Sequence, residues 1–102
     1  MTFKLHFPIY QMIPLTVLLT EVPRIRYTSQ RIAVLFSRNN SDASSIMKEL
    51  KSSRQSTNVM IKYLDEVKGI EFEKVYVVQK DMSSNERYIA FTRALEELII
   101  VD

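Results

Sequence analysis

Residues 31–36 read Arg-Ile-Ala-Val-Leu-Phe, a stretch that is apolar after its first residue and rich in strand-forming side chains. A strand covered on both faces has this composition, because neither of its sides meets water. Ser37–Ser41 follows as a polar turn, and Ser41 or Asp42 is placed to cap a helix that continues to about Ser53. This strand and helix form the unit from which we predict the rest of the fold.

The same kind of pattern continues towards the carboxyl terminus. The sequence predicts two further strands, a helix that begins at one of two serines, and a closing strand: Asn58–Leu64, Lys74–Gln79, Ser83 or Ser84 through Glu97, and Leu98–Val101. Tyr88, Phe91 and Leu95 repeat at helical spacing and are predicted to lie in the core, as are Phe72 and Val75. This order of elements predicts an α/β fold with a mainly parallel sheet flanked by helices.

Residues 1–30 are less regular. We predict a strand near Thr2–Phe7 and a helix or strand near Tyr10–Leu19, ended by Pro23. The apolar part of this segment is interrupted by two prolines and is too short to span a bilayer, so no membrane association is expected. We therefore expect a domain of residues 31–102 with the amino-terminal segment packed on it.

Composition narrows the classes of protein. Apolar residues make up 46% of the 102 residues and charged residues 25%, which is ordinary for a globular domain. The chain has no cysteine and one histidine, His6, so it has no disulfide and a zinc site would depend on carboxylates; we expect no metal site. The absence of cysteine fits the reducing cytoplasm, where we expect the chain to reside.

The charge is divided unevenly along the chain. Residues 1–51 contain seven Lys/Arg and three Asp/Glu, a net +4, whereas residues 52–102 contain seven and nine, a net −2. A basic half is suited to a phosphate backbone, but a solvated surface without a partner has the same composition. On charge alone we favour the solvated surface.

The chain contains a single glycine, Gly69, where average usage is about 7%. A Walker A phosphate loop needs two glycines and a dinucleotide-binding fingerprint needs three, so the chain has neither. Gly69 lies just before a predicted strand. A glycine is expected there because the backbone adopts a positive φ angle, because it closely approaches another group, or because it makes a tight turn into the strand.

The acidic pair Asp65-Glu66 follows an apolar run and looks like the end of a Walker B strand. Without a phosphate loop, a magnesium ion held there has no nucleotide phosphate to bridge, so we interpret the pair as a solvated turn. No serine lies in a Gly-x-Ser-x-Gly elbow, and a hydrolase of that kind is not supported.

Two segments carry a family resemblance. Lys68-Gly-Ile-Glu-Phe-Glu-Lys-Val75 resembles motif V of the UvrD/Rep-like superfamily 1 DNA helicases, and Arg87-Tyr-Ile-Ala-Phe-Thr-Arg-Ala-Leu-Glu-Glu-Leu98 resembles their motif VI. Ile32–Asn39 is similar to the strand that opens their second motor domain. The resemblance covers residues 31–102. It departs from the family where Tyr63–Val67 replaces a Thr-x-His element and where an upstream Asn-Tyr-Arg-Ser element is not found.

The resemblance implies a carboxy-terminal RecA-like half-motor. In this family the first motor domain supplies the phosphate loop and the magnesium ligands, so ATP and Mg²⁺ are expected only in complex with that domain and no cofactor in the lone chain, which is predicted to be inactive. By position, Arg93 is the catalytic arginine that reaches the γ-phosphate and Glu71 contacts the ribose, with Gly69, Lys68 and Thr92 also in the nucleotide site. The alternative for Arg93 is a surface position on an amphipathic helix.

The expected partner is a phosphate-loop helicase domain in cis or in trans, in a motor of DNA repair. Single-stranded DNA is a second expected partner, with Arg26, Tyr27 and Arg31 as its nearest candidate contacts. A different class of function is a stand-alone, non-catalytic interaction module derived from such a domain, which would associate as a homodimer through the face that the first motor domain normally covers. The chain is then an excised domain, a gene remnant or a small protein that reuses half a motor.

Overall fold

The computed structural model describes residues 9–102, so the strand predicted near Thr2–Phe7 lies outside the described residues. Five strands form one sheet in the order β1-β5-β4-β2-β3, and every neighbouring pair is parallel. The strands are β1 (Ile9–Ile13), β2 (Ile32–Phe36), β3 (Val59–Tyr63), β4 (Phe72–Val78) and β5 (Ala94–Val101). The helices are α1 (Leu15–Glu21), α2 (Ala43–Ser53) and α3 (Ser84–Phe91), with 3₁₀ helices at Val22–Arg24 and Leu64–Val67. The predicted α/β fold with a parallel sheet flanked by helices is confirmed.

The apolar strand β2 lies inside the sheet. All five residues of β2 are buried, and Ile32 pairs with Val59 of β3 on one side and with Lys74 of β4 on the other. A strand with a neighbouring strand on each side and both faces covered has no position where a side chain meets water, which explains its unbroken apolar sequence.

The two faces of the sheet are covered by different connections. One core cluster contains Leu18 of α1 and Met47 of α2, whereas the other contains Leu64 of the 3₁₀ helix and Ala90 of α3. The chain moves one way across the sheet through α1 and α2 and the other way through the 3₁₀ helix and α3, as right-handed connections require. β2 and β4 are therefore adjacent strands whose connections leave to opposite faces, the place where parallel sheets form crevices.

The end of the last helix was predicted wrongly. α3 ends at Phe91 and β5 begins at Ala94, whereas the sequence predicted a helix through Glu97. The helical pattern is overridden because Glu97 pairs with Lys74 of β4 in the parallel ladder. Ala94 also pairs with Phe72 of β4, so the last helical positions of the pattern become strand.

This shift changes which side chains are in the core. Phe72 and Val75 are buried as predicted, and Phe91 packs against the core cluster from its edge. Tyr88 is 70% exposed and Leu95 is 38% exposed, so their predicted core positions are wrong. Only a narrow stripe of the short helix α3 faces the sheet, and Tyr88 lies away from it.

The segment near the amino terminus that was predicted as a helix or a strand contains a strand followed by a helix. β1 occupies Ile9–Ile13 and α1 occupies Leu15–Glu21, separated by Pro14 at the amino-terminal cap of the helix. Pro23 lies within the 3₁₀ helix that follows α1. No helix within residues 9–102 combines the length and apolar character needed to cross a membrane.

Tyr76 connects α1 to the sheet. Its side chain is fully buried in β4, and its hydroxyl donates a hydrogen bond to Oε2 of Glu21 at 2.8 Å. Burial and the neighbouring carboxylate of Glu21 both raise the pKa of the Tyr76 hydroxyl, which therefore stays protonated as the donor.

We expect Tyr76→Phe to lower the free energy of unfolding by about 1–2 kcal/mol, because the Glu21 carboxylate loses its partner while the ring stays packed. Urea denaturation of the two proteins measures the difference. Tyr10→Phe is the matched control, since Tyr10 is 58% exposed and the change there is expected to stay within about 0.5 kcal/mol. Equal stability of Tyr76→Phe and the parent would contradict a stabilising role for this hydrogen bond.

Candidate functional site

A cleft of about 540 Å³ opens on the face of the sheet that carries α3. It runs between the 3₁₀ helix Leu64–Val67 and α3, and residues of the loop after β2 close one end. Its walls are formed by Arg38, Asn39, Leu64, Asp65, Lys68, Gly69, Glu86, Ile89 and Arg93. Three of the five predicted site residues, Lys68, Gly69 and Arg93, therefore lie around one cleft.

At one end of the cleft the backbone holds its two walls together. The N–H of Phe72 donates to the carbonyl oxygen of Arg93 at 2.8 Å, and Phe72 pairs with Ala94 where β4 and β5 begin. The segment that contains Gly69 and the segment that contains Arg93 are neighbours for this reason, although they are distant in sequence.

Gly69 adopts φ +74°, which confirms the expected positive φ angle. Apart from the two neighbouring residues in the chain, no described atom lies within 4 Å of the position that a Cβ would occupy there. The turn is closed by a hydrogen bond from the N–H of Ile70 to the carbonyl oxygen of Val67 at 3.1 Å. The glycine is needed for the turn itself, and no part of the described chain approaches it closely.

Arg93 lies in the turn between α3 and β5, and its predicted position within a helix is wrong. Its Nη2 donates to Oγ1 of Thr92 at 3.3 Å, and the Thr92 hydroxyl donates to the carbonyl oxygen of Ile89 at 2.7 Å. The Nε of Arg93 is buried and has no hydrogen-bond acceptor among the residues that the structure describes. A buried donor without an acceptor costs about 1–3 kcal/mol, so this N–H is a penalty that the described chain leaves uncompensated.

The walls contain three cationic and two carboxylate side chains. Within residues 9–102, neither Lys68 nor Arg93 forms an ion pair, whereas Arg38 pairs with Asp65 through an Nε to Oδ1 distance of 2.8 Å. The hydrogen bond between them raises the pKa of Arg38 and lowers that of Asp65. The Arg38 guanidinium also lies 4.2 Å from the centre of the Tyr63 ring. The cleft therefore presents two cations that form no ion pair among the described residues, although the charge of Lys68 contributes to lowering the pKa of Asp65.

Glu86 is held by neutral groups. Its Oε2 accepts from the hydroxyl of Ser37 at 3.0 Å, and its Oε1 accepts from the side-chain amide of Asn39 at 3.3 Å and from the N–H of Ser83 at 3.0 Å. The hydroxyl of Ser83 accepts in return from the N–H of Glu86, which completes a capping box at the start of α3.

The other two predicted nucleotide-site residues lie beside the cleft. Thr92 is exposed and holds the guanidinium of Arg93, as described above. Glu71 is exposed between Gly69 and β4 and is not among the residues that form the cleft walls.

Asp65 and Glu66 are exposed on the 3₁₀ helix, in agreement with a solvated segment, although Asp65 is engaged by Arg38. In the part of the chain from Ile9 onwards, no three His, Cys, Asp or Glu side chains are grouped to hold a metal ion.

The candidate DNA contacts lie in the segment before β2. Arg26 and Tyr27 are exposed, Tyr27 to 98%, and Arg31 pairs with Glu73 at 3.5 Å. Gln30 of the same segment contacts the carboxylate of Glu96. Two carboxylates beside these residues make the segment less suited to a phosphate backbone than its arginines alone suggest.

Arg38, Asn39 and Glu86 belong to the cleft but were missed as site residues. A sequence signal existed for the first two, because they directly follow a buried parallel strand, and ligand sites of parallel sheets lie at that edge. No sequence signal indicated that Glu86, one turn into a helix, would reach back to the loop after β2.

Two comparisons with known proteins are informative. The family described as the viral superfamily 1 RNA helicase core domain matches residues 19–102. Among solved structures, the carboxy-terminal domain of a possible DNA helicase from Lactobacillus plantarum superposes with a TM-score of 0.58 at 20% sequence identity, covering 93% of this chain and 73% of that one. No curated protein matches the sequence. At this identity the structural likeness shows a shared fold, and the match over residues 19–102 shows the family.

Proposed function

This chain belongs to the family of the viral superfamily 1 RNA helicase core domain, and we propose that it is the second motor domain of an ATP-driven helicase. In this proposal Arg93 reaches the γ-phosphate of a nucleotide that a separate phosphate-loop domain holds. The observation that carries the proposal is the buried, unpaired Nε of Arg93 in a cleft that also contains Lys68 and the Gly69 turn.

The residues of the cleft suit phosphate groups. A guanidinium stabilises the charge that spreads over phosphoryl oxygens during transfer, and supplying it from a second domain makes turnover depend on closure of the two domains. Lys68 adds a second cation without a carboxylate partner in the described residues. Glu71, exposed beside the Gly69 turn, is proposed to accept hydrogen bonds from the ribose hydroxyls.

ATP and Mg²⁺ are proposed to bind only when the phosphate-loop domain is present. Gly69 is the chain's single glycine, so the chain cannot form a phosphate loop of its own. Its cleft offers Asp65 and Glu86 as carboxylates, and both are already engaged by hydrogen-bond donors. These residues fit phosphates and not a metal ion, so the magnesium ligands are assigned to the partner.

The motifs of the sequence resemble UvrD/Rep-like enzymes, so single-stranded DNA is the proposed track, although the family that matches is named for RNA helicases. Binding of labelled single-stranded DNA and RNA of equal length to the two-domain motor distinguishes them. Tighter binding of RNA would refute the UvrD/Rep-like assignment while leaving the motor proposal in place.

One exposed apolar side chain in the cleft wall and two on the segments that form the walls support docking of a second domain there. Ile89 in the cleft wall, Ile70 beside Gly69, and Tyr88 on α3 are 38%, 39% and 70% exposed. The same side chains favour the second candidate function, a non-catalytic interaction module that forms a homodimer. Sedimentation velocity separates the two: the motor proposal expects a monomer that binds a phosphate-loop domain, and the module expects a dimer that does not.

The phosphate site can be tested on the chain alone with inorganic tripolyphosphate. We expect the arginine Nε–H signal of Arg93 and the amide signals of residues 68–70 to shift together in a ¹⁵N NMR titration, with weak affinity that decreases further as salt is added. Arg93→Ala is expected to weaken binding by about tenfold or more, since a charge-assisted contact is lost. Shifts confined to Lys48 and Lys51 of α2, or spread over all lysines, would contradict a site in this cleft.

The ion pair between Arg38 and Asp65 provides a sharper control, because substitutions of its two residues should change tripolyphosphate binding in opposite directions. Arg38→Ala removes a cation from the cleft and is expected to weaken tripolyphosphate binding, whereas Asp65→Asn releases Arg38 and is expected to strengthen it by about two- to fivefold. Both side chains are more than half exposed, which keeps the expected effects small.

A further inference from the structure

We infer that Glu86 is a positioning residue that fixes the two arginines of the cleft relative to one another, by joining the loop that carries Arg38 to the helix that leads to Arg93. The inference rests on the proposed function for its meaning, because the arginines matter only if the cleft binds phosphate. The resemblance to known motifs assigned no role to this residue.

Glu86 is connected to the loop after β2. Ser37 is fully buried, and its hydroxyl donates to Glu86 Oε2 at 3.0 Å while accepting from the N–H of Asn39 at 3.1 Å. The side chain of Asn39 donates to the other oxygen of Glu86 at 3.3 Å. Arg38 lies between these two residues, so the loop is held to Glu86 on both sides of the arginine.

Glu86 is also connected to Arg93, through α3 and the cleft wall. Glu86 and Arg93 are seven residues apart, Ile89 lies between them, and all three side chains form walls of the same cleft. The carboxylate also accepts from the N–H of Ser83, and this capping box begins the helix that leads to Arg93. One side chain thus defines both where α3 begins and where the Arg38 loop lies against it.

Without a positioning role, the carboxylate of Glu86 in the wall of this cleft has no explanation. A negative charge in the wall of a cleft for phosphates repels the ligand, so a residue needed only as a helix cap would serve better as glutamine, which can occupy the same capping position. If Glu86 had no positioning role, removing its charge by any substitution would strengthen the binding of an anion. A positioning role predicts the opposite result when the hydrogen bonds are removed together with the charge.

The test compares four variants of the chain with tripolyphosphate as the probe. Glu86→Ala is expected to weaken binding by about fivefold or more, and Ser37→Ala to weaken it by about two- to fivefold without changing the charge of the cleft. Glu86→Gln keeps an oxygen for Ser83 and Asn39, and is expected to bind as tightly as the parent or up to about fivefold more tightly. Ser83→Ala removes only the serine half of the capping box and is expected to bind within about twofold of the parent.

A measurement without ligand separates this inference from the proposed function. In the ligand-free chain, Glu86→Ala and Ser37→Ala should both shift and broaden the Nε–H signal of Arg38, and Glu86→Ala should also move that of Arg93, whereas Ser83→Ala should leave Arg38 unchanged. If these signals respond but the parent does not bind tripolyphosphate in the cleft, the phosphate site fails and the positioning role stands. Stronger binding by Glu86→Ala, equal to that of Glu86→Gln, or unchanged arginine signals in a folded Glu86→Ala, would overturn the inference.

Discussion

Arg93→Ala is expected to lower the rate of ATP turnover by about 10³- to 10⁵-fold once the chain is combined with a phosphate-loop motor domain, the range that arginine fingers contribute in related phosphoryl transfer. The guanidinium of Arg93 has a buried Nε without an acceptor in the described chain, and its Nη2 is held by Thr92. The contact with Thr92 orients the guanidinium before the nucleotide arrives, which favours stabilisation of phosphoryl charge as it develops. Steady-state turnover with single-stranded polynucleotide present measures the effect.

Two controls make the result specific. Arg87→Ala removes an exposed arginine of α3 that is not part of the cleft wall, and its turnover is expected to stay within about threefold of the parent. Arg93→Lys keeps the charge but loses the planar set of donors, and an intermediate rate is expected. Turnover by the lone chain that survives Arg93→Ala would mean that phosphate chemistry occurs elsewhere in the molecule.

Phe72→Ala is expected to lower the free energy of unfolding by about 3–5 kcal/mol, a large part of the 5–15 kcal/mol that stabilises a typical domain. Phe72 belongs to the segment that resembles motif V, yet its side chain is 1% exposed in the core cluster with Val67 and Leu98. Its N–H also carries the hydrogen bond to the Arg93 carbonyl. Loss of the ring should therefore loosen the start of β4 together with the cleft.

Ile70→Ala is the matched control for Phe72, because Ile70 is two residues away in the same segment and 39% exposed. Its substitution is expected to cost less than about 1 kcal/mol. Urea denaturation of both variants gives the comparison. A cost at Phe72 no larger than that at Ile70 would contradict the placement of this side chain in the core.

Strands such as β2 and β4 could be predicted from the sequence because a buried parallel strand consists of a local run of apolar residues. It failed at the end of α3, where Tyr88, Phe91 and Leu95 have helical spacing although Leu95 belongs to β5. Local spacing cannot report the length of a neighbouring strand, and the pairing of β5 with β4 decided the boundary. The short helix that remains leaves Tyr88 exposed.

At the site, residues within contiguous motifs could be predicted from the sequence, whereas contacts between residues far apart in sequence could not. A positive φ angle was one of three alternatives predicted from the sequence for Gly69, and Lys68 and Arg93 were predicted from family motifs. The pairs Arg38–Asp65 and Ser37–Glu86 join residues 27 and 49 positions apart. Such contacts depend on which face of the sheet each connection covers, and no local pattern records that choice.

The central claim is that Arg93 reaches the nucleotide phosphates only when a second domain holds the nucleotide. The most direct measurement is the ¹⁵N NMR signal of the Arg93 Nε–H in the combined two-domain motor, with ADP and aluminium fluoride added as a mimic of the transferring phosphoryl group. The account predicts a shift of this signal that requires both the phosphate-loop domain and the mimic. An Arg93 signal that stays unchanged under conditions in which the motor hydrolyses ATP would contradict it.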